Sequence, residues 1–433
     1  MSSEPRKPEP VRRLPVPAAR PQNWGRRGGP QGLATWIYLL AWLAVLVGGL
    51  AWAMTAALGD EALAWRAWRA LFVNFLFWTS LAQGAVMWAV IFRIARASWA
   101  APISRLGHAF AWYLPFSLLV FAMLYPGRDF APWTPSHVGD RAAWLNPSFV
   151  FLRDGAGLLV LTILSWVFVR TYLRADAAPA PPSDDQARRA DATLRSSEAT
   201  SLRSTSRRLS VLGVALCFAY GIIYSLLGFD LVMSLTPGWH SALLGWYFAL
   251  GGLYSGIAAL IVTAVLLRRW LGVSDLVGRN QFRDLGNLLM AFAMAMTYFF
   301  YSQALPIWYE NLPSETVFAI PRIHLQPWQT LSWVMVGTGY LGVFVLLLVR
   351  EMKERAATLA GVALLAVAAM WLERYLLVTP SLAPRAVGFP VLELLIGAGF
   401  LGVLVLVLLI FLGRHPGPSP LDLALIEDRE AWR

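Results

Sequence analysis

The stretch LGGLYSGIAALIVTAVLLR, residues 250–268, indicates the kind of protein that this chain forms. It contains no charged residue before Arg268, and a helix of roughly 20 apolar residues is long enough to cross a hydrocarbon layer about 30 Å thick. A helix also satisfies its own backbone hydrogen bonds, which an apolar solvent requires. We therefore predict that this stretch is a transmembrane helix.

The rest of the chain has the same character. Of its 433 residues, 58% are hydrophobic and 14% are charged, and the mean hydropathy is +0.55, a composition far from that of soluble proteins. No segment shows the alternation with a period of two that β-barrel strands require. We predict an all-α polytopic membrane protein with ten transmembrane helices, at about 33–57, 70–92, 106–125, 154–173, 209–234, 241–267, 286–306, 328–349, 356–378 and 389–412.

The basic residues predict how these spans are oriented. Lysines and arginines in short loops stay on the cytoplasmic side, and a cytoplasmic N-terminus places most of the 36 basic residues there. With ten spans, both termini are then cytoplasmic. The formal net charge of +11 is explained by this topology and by contact with anionic membrane lipid, so we expect no nucleic-acid partner.

Polar segments divide the chain into regions. Proline and arginine are frequent in the first segment, which has no cleavable signal sequence and is expected to stay attached, and the segment after the fourth span has a similar composition. Two loops on the outer side are rich in Trp and Pro, which favours a place at the membrane interface or against a partner subunit. The predicted regions are a disordered cytoplasmic leader (1–32), spans one to four (33–173), a disordered cytoplasmic linker (174–208), spans five to ten (209–412) and a cytoplasmic tail (413–433).

The residue inventory argues against a redox centre in this chain. A bis-histidine haem needs paired histidines at membrane depth, but His108 is the only histidine within a predicted span. The single cysteine, Cys217, cannot hold an iron–sulfur cluster and is expected to be a packed core residue. The sequence has neither a phosphate-binding loop nor a dinucleotide fingerprint. Any haem or iron–sulfur centre is therefore expected on other chains.

Polar side chains within the spans are the remaining functional candidates, because ionisable groups in the membrane are costly and mark pathways or paired structural sites. We expect an outer polar cluster, relay groups and an inner group, all serving proton movement. The cluster comprises Asp230, Glu373, Arg374 and Glu393, the relays are Gln83, Ser255 and Gln303, and the inner group is His108, Asp284 and Asn287. Structural explanations stay open: ion pairing for Glu373 and Arg374, helix capping for Asp230, an interfacial place for His108, and anchoring for Arg153–Asp154.

Two alignments of the chain with itself predict an internal repeat. Matching Thr236-Pro237 with Thr379-Pro380 puts Asp230 opposite Glu373, each seven residues before a proline. Matching residues 78–96 with 250–268 puts Gly84 opposite Gly256. The repeat predicts two parallel-related four-helix bundles, spans two to five and six to nine, with spans one and ten flanking them.

Five stretches resemble the NrfD/polysulfide-reductase family of integral membrane subunits, and most closely the second such subunit of alternative complex III. They are NFLFWTSLAQGAVMWAVIFRI (74–94), WLNPSFVFLRD (144–154), FDLVMSLTPGWHSALLGWYFALGGLYSGIAAL (229–260), YSQALPIWYENLPSET (301–316) and ERYLLVTP (373–380). The resemblance covers roughly residues 33–412.

The resemblance implies two four-helix bundles with two flanking helices, in a bacterial inner membrane. It also implies a complex that oxidises quinol and passes electrons to a cytochrome or an oxidase. The expected partners are a second NrfD-like subunit, which is the better candidate for the quinol site, an iron–sulfur protein and a multihaem cytochrome. No cofactor is expected in this chain, and its implied role is to help conduct protons or to transmit a conformational change.

Two other classes of membrane protein share some of these features. Ten spans with intramembrane acids would also suit a secondary transporter that couples ions through its carboxylates. Many transporters have inverted repeats and broken helices near the middle of the membrane, whereas this repeat is parallel and no such helix pair is evident. An integral lipid-modifying enzyme would need a His- or Asp-rich catalytic cluster in a loop, and the sequence has none.

Overall fold

The computed structural model describes residues 31–133, 143–174, 187–270, 274, 277–385, 390–415 and 421–422. All regular structure in these ranges is helical, and ten helices are long and apolar enough to span a membrane, as predicted. We number them α1 (Thr35–Leu58), α2 (Glu61–Ile94), α3 (Ser98–Met123), α4 (Pro147–Arg174), α5 (Ser204–Leu235), α6 (Leu244–Leu267), α7 (Arg279–Glu310), α8 (Trp328–Leu348), α9 (Ala356–Leu382) and α10 (Val391–Arg414).

Several helices begin earlier than their predicted spans. Helix α2 begins at Glu61, where the Asp60 side chain accepts a hydrogen bond of 2.8 Å from the Leu63 amide and so caps the helix. Helix α7 likewise runs from Arg279 to Glu310. At 1.5 Å per residue, these helices are longer than the hydrocarbon layer is thick. The hydrophobic pattern marked only the most apolar part of each helix.

The predicted linker, 174–208, needs correction in its second half. The helix that continues into α5 begins at Ala187, so residues 187–208 are helical. This part contains no proline or glycine and is rich in alanine and arginine, which are good helix formers. Residues 175–186, nearly all of the predicted leader and most of the tail lie outside the described residues.

Two helices depart from regular α-helical geometry. A tighter turn at Ala111–Tyr113 interrupts α3 just before Pro115, and a wider π turn at Val336–Gly342 interrupts α8. The wider turn includes the buried Tyr340. Such π turns occur frequently at functional sites, so α8 is a candidate for a functional role.

Two four-helix bundles form the core, which confirms the architecture predicted from the repeat. Helices α2 to α5 pack in a closed ring, each on the next and α5 back on α2, and helices α6 to α9 pack in the same way. Helices α2 and α6 cross at the centre of the molecule, while α1 packs on α10 at one side. We call the end at which the even-numbered helices finish the inner end, and the opposite end the outer end.

Glycines allow the central crossing. A Cβ atom at Gly84 would overlap the carbonyl group of Gly252, and one at Gly256 would overlap the backbone of Gly84. Helices approach this closely only where small residues remove side-chain bulk. The pairing of Gly84 with Gly256 in the sequence repeat therefore corresponds to a contact at the interface between the bundles.

Candidate functional site: buried ion pairs near the outer end

The residues predicted to form one outer cluster lie in three ion pairs. Asp230 pairs with Arg153, Glu373 with Arg374, and Glu393 with Arg66. All three carboxylates are almost completely buried. We find no hydrogen bond between described residues that links one pair to another, so each pair has its own surroundings.

Asp230 is held by two side chains from another part of the first bundle. Its Oδ2 accepts a hydrogen bond from Arg153 Nε at 3.1 Å and lies 2.7 Å from Arg153 Nη2 in an ion pair. Its Oδ1 accepts from Trp144 Nε1 at 3.0 Å. The Arg153 guanidinium carbon lies 3.9 Å from the centre of the Trp144 ring. These contacts fix the arginine between an indole ring and a carboxylate.

A second carboxylate belongs to the same site. Asp154 is only 2% exposed, and its Oδ1 lies 3.8 Å from Arg153 Nε. Its Oδ2 is buried and has no hydrogen-bond partner among the described residues. Two buried carboxylates, Asp154 and Asp230, thus share one arginine.

Glu373 occupies the corresponding helix of the second bundle. Its Oε2 accepts from Arg374 Nη1 at 2.6 Å, and both side chains are 1% exposed. Arg374 also donates to the Phe248 carbonyl at 3.0 Å. Nearby, the hydroxyl groups of Tyr247 and Tyr340 are hydrogen-bonded at 2.7 Å, and Tyr340 belongs to the π turn of α8.

Glu393 mainly fastens α10 to α2. Both of its oxygens accept from Arg66, from Nε and Nη2, at 3.0 Å each. Asn74 adds a hydrogen bond of 2.8 Å from its Nδ2 to the Glu393 carbonyl. A two-pronged pair with a supporting amide restrains both helices, which is typical of a structural contact.

The predicted relay residues do not connect these pairs. Gln83 donates to Ser165 Oγ at 3.2 Å, and Gln303 accepts from Ser241 Oγ at 3.1 Å. Ser255 donates to the Gly251 carbonyl of its own helix at 2.9 Å. None of these hydrogen bonds reaches Asp230 or Glu373.

The three residues predicted for the inner side are not brought together either. His108 is buried on α3, and its ring stacks on Tyr172 with the ring centres 4.0 Å apart. Neither ring nitrogen makes a hydrogen bond of standard geometry with the described residues. Asp284 and Asn287 lie on α7, where Asn287 is exposed and Asp284 approaches Arg283 at 3.9 Å.

Beside His108 lies a contact that sequence reasoning missed. The Tyr172 hydroxyl donates to the carboxylate of Asp422, a buried residue beyond the end of α10. Arg93 donates to the Leu421 carbonyl at 3.2 Å, and Arg105 donates to the His415 carbonyl at the same distance. The tail thus docks on the inner end of the first bundle. The only feature of the tail sequence that points to this contact is the leucine on each side of Asp422. Two apolar residues are too few to predict a docking site.

Another missed residue is Arg322, in the short helix Pro313–His324 between α7 and α8. Its guanidinium donates to the carbonyls of Leu376 and Leu377 at 2.9 and 2.8 Å, and to the hydroxyl of Ser381 at 2.8 Å. Burial lowers the pKa of this arginine to about 9. Arg322 therefore joins the outer loop to the end of α9.

No protein-family model matches the chain, and no curated protein matches it.

Proposed function

We propose that this chain is a membrane subunit of a quinol-oxidising respiratory complex of the alternative complex III type, and that it contributes to proton movement. The observation that carries the proposal is the pair of buried acid–arginine sites, Asp230–Arg153 and Glu373–Arg374, at equivalent places in two four-helix bundles. The two bundles with flanking helices also agree with the architecture that the sequence resemblance implies. The inner end then faces the cytoplasm of a bacterium, in accordance with the positive-inside rule.

The first of these sites is suited to holding a proton. Asp154 and Asp230 share Arg153, so the site carries an excess negative charge when both acids are ionised. An uncompensated charge in a buried place is costly, and one bound proton removes it. In this proposal, Asp154 and Asp230 bind and release a proton together, and Arg153 keeps one of them ionised.

The second site differs in a way that suggests a different task. Glu373 has an arginine of its own, so the buried charges balance. The Tyr247–Tyr340 pair supplies hydroxyl groups that both donate and accept hydrogen bonds, as proton transfer requires. Tyr340 belongs to the π turn of α8, and such turns occur frequently at functional sites. We assign to the Glu373 site the transfer of protons along the second bundle.

The redox chemistry is assigned to partner subunits. Quinol would bind the second NrfD-like subunit, and electrons would pass through an iron–sulfur protein and a multihaem cytochrome. The outer end of α7 offers a surface for such partners, since Trp308 is 75% and Tyr309 82% exposed there. Tryptophan and tyrosine at this depth suit a protein contact and the membrane interface equally.

Amide variants of the two acids test the proton role. Asp230→Asn and Glu373→Gln keep the shape of each side chain and one oxygen that accepts hydrogen bonds. Each change also removes the charge that balances a buried arginine, so size-exclusion chromatography first establishes that the variant complex assembles. We expect the number of protons moved per electron to fall in sealed vesicles that contain the purified complex, while quinol oxidation continues.

Glu310→Gln is the matched control, because this carboxylate lies at the outer end of α7 and is exposed. It should leave proton coupling unchanged. Normal coupling in both test variants would refute the proton role assigned to these sites.

A further inference from the structure

An apolar groove lies between α3 and α4, away from the acid–arginine sites. Its volume is about 340 Å³, and it opens beside Pro115, which follows the tight turn in α3. Its lining residues are Pro115, Thr162, Ile163, Trp166, Val167 and Arg170. From Thr162 to Arg170 the groove follows about 12 Å of α4, at the usual rise of 1.5 Å per residue. The groove therefore leads from the interior of the membrane to an arginine near the inner end.

Trp166, in the lining of this groove, stacks on Trp112 of α3. The rings of Trp112 and Trp166 lie 5.7 Å apart at an angle of 24°, and Trp166 Nε1 donates to the Ala111 carbonyl at 2.9 Å. The Arg170 guanidinium carbon lies 5.5 Å from the centre of the Trp166 ring. The Arg414 guanidinium carbon lies 5.7 Å from the centre of the Trp112 ring. One arginine from α4 and one from α10 thus each lie against a different ring of this tryptophan pair.

These arginines have no anionic partner within the described part of the chain. Neither Arg170 nor Arg414 makes an ion pair there, and α4 ends with a further arginine, Arg174. The inner end of the groove is consequently positive, and the rest of its lining is almost entirely apolar. An anion that continues into a hydrocarbon chain matches both properties.

We propose that the groove binds an anionic phospholipid. The phosphate lies at Arg170, with Arg414 as the second basic group of the inner end, and one acyl chain lies along Ile163 and Val167. Basic pockets between transmembrane helices on the cytoplasmic side bind such headgroups. This site depends on the positions of α3, α4 and α10 alone, so it stands whether or not the proposed proton role is correct.

The test measures lipid binding to the purified, delipidated protein by native mass spectrometry. The probes are phosphatidylglycerol, phosphatidylcholine with the same acyl chains, and glycerol 3-phosphate as a soluble anion. Each arginine near a membrane surface contributes to the free energy of binding an anionic lipid. The loss of two arginines should therefore weaken lipid binding about tenfold or more. We expect Arg170→Ala/Arg414→Ala to lose preferential binding of phosphatidylglycerol to that extent.

Two further variants complete the test. Arg207→Ala/Arg208→Ala removes the same charge from exposed residues of α5 and should leave phosphatidylglycerol binding unchanged. Ile163→Trp fills the groove, keeps both arginines and should weaken lipid retention, and folding is not at risk because Ile163 is 51% exposed. Equal losses in the two double-arginine variants, or equal retention of phosphatidylcholine, would overturn the proposal. So would full competition by glycerol 3-phosphate, which would indicate a site for free anions.

Discussion

Pro380 removes a backbone hydrogen bond from α9, and Arg322 supplies a replacement. Proline has no amide hydrogen, so the Leu376 carbonyl, four residues earlier, lacks its usual helical donor. Arg322 Nε donates to that carbonyl at 2.9 Å. The outer loop is therefore fixed to α9 at the point where the helix lacks a donor.

A double-mutant cycle tests this relation at the residue scale. Arg322→Ala leaves the buried Leu376 carbonyl without a donor, which should cost about 1–3 kcal/mol of stability. In a Pro380→Ala background the helix supplies its own amide, so the same arginine substitution should cost less. Thermal unfolding in detergent measures both effects. Arg385→Ala, an exposed change nearby, is the control, and an equal cost in both backgrounds would contradict the explanation.

The sequence predicted some residues of the site but not their partners. Asp230 and Glu373 were recognisable because a carboxylate in an apolar span is costly and therefore noticeable. The partner of Asp230 could not be read in this way, since Arg153 lies 77 residues away and meets it only when α4 and α5 pack. For the same reason the expected single cluster is resolved into three ion pairs.

At the scale of elements, the α2–α6 crossing determines how the two bundles meet. The backbones of these helices touch at Gly84, Gly252 and Gly256, where no Cβ atom fits. Spans, their number and the repeat could be predicted from hydropathy and from these glycines. The helical start at Ala187 and the π turn in α8 could not, because apolar pattern alone does not report local hydrogen bonding.

Alanine substitutions test the crossing. We expect Gly84→Ala and Gly256→Ala to force α2 and α6 apart and to destabilise the protein by about 1–3 kcal/mol, the usual cost of overpacking. Gly49→Ala and Gly361→Ala are matched controls, since a Cβ atom at either position meets nothing within 4 Å. Size-exclusion chromatography and thermal unfolding should separate the two pairs of variants. Equal behaviour of all four would contradict the close approach of the two helices.

At the scale of the whole molecule, the two bundles place one buried acid–arginine pair each near the outer end. Buried ionisable groups are costly in a membrane protein and are found where they form ion pairs or carry protons. Arg153 is already paired with Asp230, so the second carboxylate beside it, Asp154, is not needed to neutralise its charge. The proposed role in proton movement would account for this additional carboxylate. A transporter would use the same acids for ion coupling but would work without redox partners.

Purification of the tagged chain from its native membrane in mild detergent tests the central claim most directly. Haem staining, absorption spectra and mass spectrometry would identify the proteins that accompany it. We predict a multihaem cytochrome, an iron–sulfur protein and a second NrfD-like subunit in constant proportion, in a complex that oxidises quinol. A protein that purifies alone, colourless and without quinol oxidation would contradict the respiratory role and favour a transporter.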